Sequence, residues 1–165
     1  MLGFEPKIVF CTRGAIFYRD IAAWGGDLPN GVSMELIWGP SIKNAVGIGD
    51  TTPQSLATRF YEETGEPLAQ GIGWEYMGMQ ILFDAIERAG TLDSDAVLQA
   101  LSATDLNSIF GRVVFDPGTQ FHAYQVQCGQ WQKTDNPWVW EAECVYSDND
   151  NMPATAELIF PVPYD

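Results

Sequence analysis

Basic residues are scarce in this sequence: eight lysines and arginines stand against 22 aspartates and glutamates, a formal net charge of -14 over 165 residues. A field of that sign repels polyphosphates and anionic lipid surfaces, so nucleic-acid and peripheral membrane binding are disfavoured. The charge reads as a solubility feature rather than as the mark of a dedicated cationic partner. Histidine is nearly absent. His122 stands alone just after a turn, and no Gly-x-Ser-x-Gly elbow accompanies it, so no serine-type triad can be assembled. The three cysteines, Cys11, Cys128 and Cys144, form no Cys-x-x-Cys pair, which argues against a zinc site.

Other motifs fall short in similar ways. Gly47-x-Gly49 and Gly71-x-Gly73 lack the further glycine of a dinucleotide loop, and no Walker lysine follows a glycine-rich turn. Asp148-Asn149-Asp150-Asn151 resembles calcium-loop material but lacks the glycine and the closing glutamate such a loop needs. Glu62-Glu63 reads as a solvated helix face. No apolar run is long enough for a membrane span, and Met1–Lys7 carry neither the basic start nor the apolar core of a signal peptide. These absences leave no catalytic constellation, no cofactor and no metal: the chain is expected not to be an enzyme.

What remains is a globular pattern, 46% apolar and 13% aromatic. Lys7–Cys11 is a short apolar run without alternation, as in a strand buried on both faces of a parallel sheet. Ala15–Trp24 reads as a helix and Val32–Trp38 as a second strand. The stretch 39–53 is rich in Gly, Pro and Thr and reads as a loop. Helices are predicted over Ser55–Thr64, Gly73–Ala89 and Thr91–Ala103. The middle one has apolar residues over most of its circumference, with a narrow polar stripe at Gln80, Asp84, Glu87 and Arg88. Asp93 or Ser94 caps the last, whose buried face is Val97, Leu98 and Leu101. Val113–Phe115 is a strand ended by Asp116-Pro117-Gly118. Ala123–Cys128 and Trp138–Val145 alternate around Lys133–Pro137 and predict a hairpin. The tail from Ser147 reads as mostly coil. The order implies an α/β fold with three layers and a mostly parallel sheet. The chain opens almost directly on an apolar strand with no helix to cover it, which suggests a portion of a larger fold.

Three stretches together resemble one family. Leu2–Val9 is similar to the approach to a strand in the type I periplasmic solute-binding proteins. Trp74–Gly90 is similar to their long helix, and Asp93–Leu101 followed by Phe110–Gly118 to a later segment. The family is the extracellular ligand-binding receptors, the leucine/isoleucine/valine-binding group. The resemblance covers about residues 2 to 130 and corresponds to the C-terminal half of such a protein. It implies two α/β lobes joined by crossing strands, with residues 1–31 and 116–165 in the C-terminal lobe and 32–115 in the N-terminal one. Val32–Trp38 would then cross between lobes.

Function follows by the same resemblance: the substrate-binding component of an ABC importer, located in the periplasm. It would hold a small polar organic solute, an amino acid or a carboxylate-bearing compound, and dock on a membrane permease. The alternatives are a ligand-sensing domain of a signalling receptor and, further off, an enzyme of unknown type. Ligands of open α/β sheets sit beyond the carboxyl ends of strands, which points to Thr12, Arg13 and Gly14. Family members that bind amino acids carry an acidic residue at about the position of Arg13. The guanidinium here suits a carboxylate instead. Trp74 and Tyr76 would supply an aromatic platform. The plainer alternatives are a surface arginine at a strand end and ordinary core packing for the two aromatics. An oxidising periplasm and the hairpin together predict a Cys128–Cys144 disulfide. With half a cleft, the isolated chain is expected to bind solute weakly and to form a homodimer through bared edges.

Overall fold

The structure, a computed structural model, describes residues 3–67 and 69–164. Leu2, which opens the first of the three family-like stretches, lies outside the described residues, as do Met1, Leu68 and Asp165.

Apolar side chains gather into two cores. The first core holds Ala15, Ile21, Met34, Leu36, Trp131 and Trp140 among others. It is built on a three-stranded sheet of β1 (Ser33–Leu36), β4 (Gln127–Lys133) and β5 (Trp140–Tyr146), in the order β1-β4-β5. A one-turn helix, α1 (Tyr18–Ala23), packs on it through the fully buried Ile21. The second core centres on Trp38, Leu56 and Ile109. It draws on α2 (Pro53–Thr64), α3 (Gln70–Ala89) and the turn of a small hairpin of β2 (Asp105–Ser108) and β3 (Gly111–Val114), while α4 (Ser94–Ser102) lies against α3. Leu36 belongs to the first core and Trp38 to the second, so the chain passes from one to the other within Leu36–Trp38.

The α/β class is as the sequence predicts, but the pairing differs. Both ladders of the main sheet are antiparallel. Lys7–Cys11 reaches β1 only as a parallel bridge of Phe10 with Ser33, with Ser33 N–H on the Val9 carbonyl and Cys11 N–H on the Ser33 carbonyl, each 2.9 Å. Among the described residues the mostly parallel sheet is therefore replaced by antiparallel strands. Strands joined by a tight turn, as β4 and β5 are, can pair only antiparallel, whereas a parallel ladder needs a long crossover for each neighbour. Among the described residues the first stretch consequently has β1 as its one bridged neighbour, with a further tie from Val162 N–H to the Lys7 carbonyl at 3.1 Å, and Ile8 and Phe10 are 66% and 54% exposed instead of buried on both faces.

Helix ends follow local chemistry. Thr52 caps α2 in a reciprocal box: its hydroxyl accepts from Ser55 N–H at 3.1 Å and Ser55 Oγ accepts from Thr52 N–H at 2.9 Å. Pro53 occupies the first turn, and Gly65 closes the helix at φ +72°. Asp93 caps α4 by accepting from Ala96 N–H at 3.1 Å, as its sequence predicts. The expected buried face of α4 is only partial, because Leu98 is 57% exposed and no other layer covers it. The strand β2 has no alternating apolar pattern and is a feature the sequence did not reveal. The later hairpin is present, but β4 begins at Gln127, and residues 123–126 are exposed coil.

The largest departure concerns the polar stripe of α3. Gln80 is buried, its amide donating to the Val46 carbonyl and accepting from Ile109 N–H, both at 3.0 Å. Gln70 does the same for β1: it accepts from Ile37 N–H at 3.0 Å and donates to the Glu35 carbonyl at 3.1 Å. Helix α3 starts at Gln70 rather than Gly73, and its opening residue thus pairs with backbone that no strand satisfies.

Gly73 lies where α3 meets Trp38, whose indole N–H donates to the Ile109 carbonyl at 2.9 Å. A Cβ on Gly73 would stand 2.1 Å from the Trp38 ring, whereas one on Gly78 of the same helix would meet nothing within 4 Å. Gly73→Ala is therefore expected to destabilise by about 1–3 kcal/mol through overpacking. Gly78→Ala should stabilise by up to about 1 kcal/mol through helix propensity. Urea denaturation of both variants checks the pair, and equal effects would contradict the packing described.

Candidate ligand-binding cleft

After the bridge at Phe10 the chain makes a short helical turn over Arg13–Ala15. Ala15 is fully buried, and its carbonyl accepts from the Trp131 indole at 2.6 Å, which anchors the turn to the first core. Thr12, Arg13 and Gly14 are left exposed at the carboxyl end of the strand-like stretch. From there Arg13 reaches across β1. Its Nε lies 3.0 Å from Glu35 Oε1, and its guanidinium carbon is 6.0 Å from the centroid of the Trp74 ring, which packs on the second core. The arginine side chain is 71% exposed, so the ion pair contributes no more than about 1 kcal/mol. Glu35 Oε1 is buried and accepts no aligned hydrogen bond, and the buried Trp74 indole N–H is likewise unpaired among the described residues.

Tyr76 is not brought to this point. Its hydroxyl accepts from Ile48 N–H at 2.9 Å and packs on Gly47, where a Cβ would sit 2.8 Å from the hydroxyl oxygen. Positions two apart on an α-helix point to different sides, so α3 sends Trp74 toward Arg13 and Tyr76 toward the loop before α2. His122, the lone histidine, sits beside β3 with Nδ1 3.3 Å from Val114 N–H.

A second concavity lies on the other face of β1. Between α2 and the hairpin of β4 and β5 runs an open groove of about 310 Å3, walled by Pro40, Gln54, Ala57, Tyr61, Pro67 and Trp138, with Glu141 at its inner end. Glu141 Oε2 accepts from the Trp138 indole at 2.7 Å and from Asn136 Nδ2 at 3.3 Å. Burial is the main influence on this carboxyl and raises its pKa, partly offset by the Trp138 hydrogen bond, with neighbouring Glu143 raising it further. Trp138 meets Tyr61 edge to face, ring centroids 4.6 Å apart, and its carbonyl accepts from the Tyr18 hydroxyl at 2.6 Å. In the sequence Glu141 is one polar position of an alternating strand. Nothing there signals that α2 folds over it.

No family model and no curated relative matches the sequence. Solved structures do. A leucine-binding protein from Thermotoga maritima superposes with a TM-score of 0.64 at 19% identity, over 83% of this chain and 36% of that one. An ABC-transporter substrate-binding protein from Sphaerobacter thermophilus gives 0.59 at 16%, over 90% and 46%. A solute-binding protein from Rhodopseudomonas palustris, in complex with 3,4-dihydroxybenzoic acid, gives 0.59 at 17%, over 79% and 34%. The chain has part of the type I periplasmic binding protein fold. It spans between about a third and a half of the length of these structures. Among the described residues no helix is long and apolar enough to cross a membrane.

The expected disulfide is not formed: Cys11, Cys128 and Cys144 are all free thiols. Register explains it. Cys144 stands opposite Gly129, and Cys128 opposite Tyr146, with the ladder irregular between Cys128 and Gly129. The extra residue, Val145, falls on β5 and moves Cys128 along to Tyr146 instead of bringing it opposite Cys144. Burial raises the pKa of both thiols, with proximity to Cys128 a smaller influence on Cys144.

The raised pKa of Glu141 sets a pH dependence. A carboxyl whose folded pKa lies above its unfolded value, about 4.3, binds protons more tightly in the folded state. It therefore costs stability as pH rises through the interval between the two values, and that cost is complete above the folded pKa. Glu141→Gln, which can still accept from Trp138, is expected to melt at or above the wild-type temperature at pH 7. The advantage should vanish below about pH 4, where the wild-type carboxyl is protonated in both states. Thermal melts across pH 3.5–7.5 check this, and a variant that melts lower at pH 7 would contradict it.

Proposed function

We propose that this chain is part of the substrate-binding component of an ABC importer and binds a carboxylate-bearing organic solute at the lobe crossing. The observation that carries this reading is Arg13, held by the first core, lying over Trp74 of the second beside the strand that joins them. A guanidinium 6.0 Å from an indole centroid offers its remaining N–H groups to a carboxylate and leaves room for an apolar body against the ring. Its partner Glu35 engages only one edge of the fork. Two buried polar atoms without an aligned hydrogen bond, Glu35 Oε1, which has only its ion pair with Arg13, and the Trp74 indole N–H, border the same spot, as is usual where water or a ligand completes a site. The related Rhodopseudomonas protein holds an aromatic carboxylate. Thr12 and Gly14 would flank the solute, residues 1–31 and 116–165 would belong to one lobe, and 32–115 to the other. The working place would be the periplasm and the partner a membrane permease.

In the complete two-lobed protein a cleft draws contacts from segments beyond this chain, so the chain alone is expected to bind weakly. Calorimetry with amino acids and small aromatic carboxylates should give dissociation constants no tighter than about 1 mM for the chain alone. The protein from the complete coding sequence should bind one of them well, and Arg13→Ala in it should weaken binding at least about tenfold. Micromolar binding by the chain alone would sink the divided-cleft reading, and an unaffected Arg13→Ala would place the site elsewhere. The exposed Ile8 and Phe10, beside a single bridge to β1, also support self-association. Light scattering should then give a mass above the 18.3 kDa of one chain, and a clean monomer would refute it.

A further inference from the structure

We propose that the groove between α2 and the hairpin of β4 and β5 is a second binding site, specific for an organic ammonium ion, with Glu141 as its counter-ion. It goes beyond the carboxylate reading, because it lies on the other side of the crossing strand. Glu35, which meets Arg13, and Leu36, which borders the space around Glu141, are consecutive on β1 and so point to opposite faces.

The argument starts from how Glu141 is held. A carboxylate has about four acceptor positions on two oxygens. Both donors here, the Trp138 indole and Asn136, go to Oε2. Oε1 receives none, and among the described residues no lysine or arginine forms an ion pair with Glu141. The group is thus oriented by two fixed donors on one oxygen, and the residue lines the groove with its other oxygen left without a donor. A half-buried carboxylate without a cation is unfavourable unless something completes it.

The walls say what that partner is. Trp138 and Tyr61 meet edge to face at the mouth, and aromatic faces attract organic cations. Pro40, Ala57 and Pro67 are apolar and suit a carbon skeleton rather than the water shell of a metal ion. Nor does any group of three or more metal-ligating side chains occur among the described residues. The groove, at about 310 Å3, has the volume of a small aromatic or aliphatic amine. A net charge of -14 raises the local concentration of any cation that approaches.

Benzylammonium, with neutral benzyl alcohol as the matched control, tests the proposal on the chain itself in 0.15 M salt, read by the indole N–H resonance of Trp138. Benzylammonium should give a saturable shift in the low-millimolar range or tighter, and benzyl alcohol at least tenfold weaker binding. Glu141→Gln should abolish the preference for the ammonium, while Glu87→Gln, exposed on α3, should leave it intact. Equal binding of the amine and the alcohol, retention of the preference in Glu141→Gln, or no saturable shift at Trp138 would each overturn the site. None of these outcomes bears on Arg13, whose test uses carboxylates and the complete protein.

Discussion

Three buried glutamine side chains hold this molecule together where its sheets have no strand to offer. Gln70 pairs with both backbone groups on the open edge of β1 just before the crossing. Gln80, on the same helix, ties the loop at Val46 to the segment at Ile109. Gln130, 1% exposed, donates to the Gly31 and Ile159 carbonyls and accepts from Ile159 N–H, fixing the tail to β4. A primary amide presents a donor and an acceptor side by side, as a peptide group does. Each glutamine thereby replaces part of a missing strand and avoids leaving buried backbone groups unpaired, which costs about 1–3 kcal/mol for each.

That device explains how one short strand can serve two cores. Only residues Ser33–Leu36 are paired in the sheet. Beyond them Ile37 depends on Gln70, and Trp38 is anchored by its indole to Ile109 and by the absence of a side chain at Gly73. The chain is therefore held firmly on both sides of the crossing, and Arg13 and Trp74 face one another across it. A site at that junction takes its geometry from both cores at once. Further ties between the two sides are the ion pair of Arg19 with Glu66, 2.9 Å, and the contact of Tyr61 with Trp138.

Much of this was legible beforehand in particular residues. Thr52-Pro53 with Ser55, Asp93, Gly65 and Gly90 mark helix ends through their own hydrogen bonds and backbone preferences. The alternation around Lys133–Pro137 predicts the hairpin. By contrast, Gln80 follows the spacing of a solvated stripe, and periodicity cannot tell a glutamine that faces water from one that faces unpaired backbone. The pairing of Cys128 with Cys144 failed for a related reason: one extra residue in β5 changes every partner beyond it, and no local pattern in Val145 announces that.

The sequence by itself determined the α/β class, most helices, the cap of α4 at Asp93 and the late hairpin. These rest on neighbours within a few positions in the chain, where spacing and turn chemistry act directly. Only the tertiary structure decided that Lys7–Cys11 has a single bridged neighbour, that Arg13 meets Trp74 while Tyr76 does not, and that Glu141 ends a groove under α2. Each of those depends on which distant segment arrives at a given face. Distant arrival is set by the packing of two cores around one crossing strand, a property of the whole chain that no short run of residues carries.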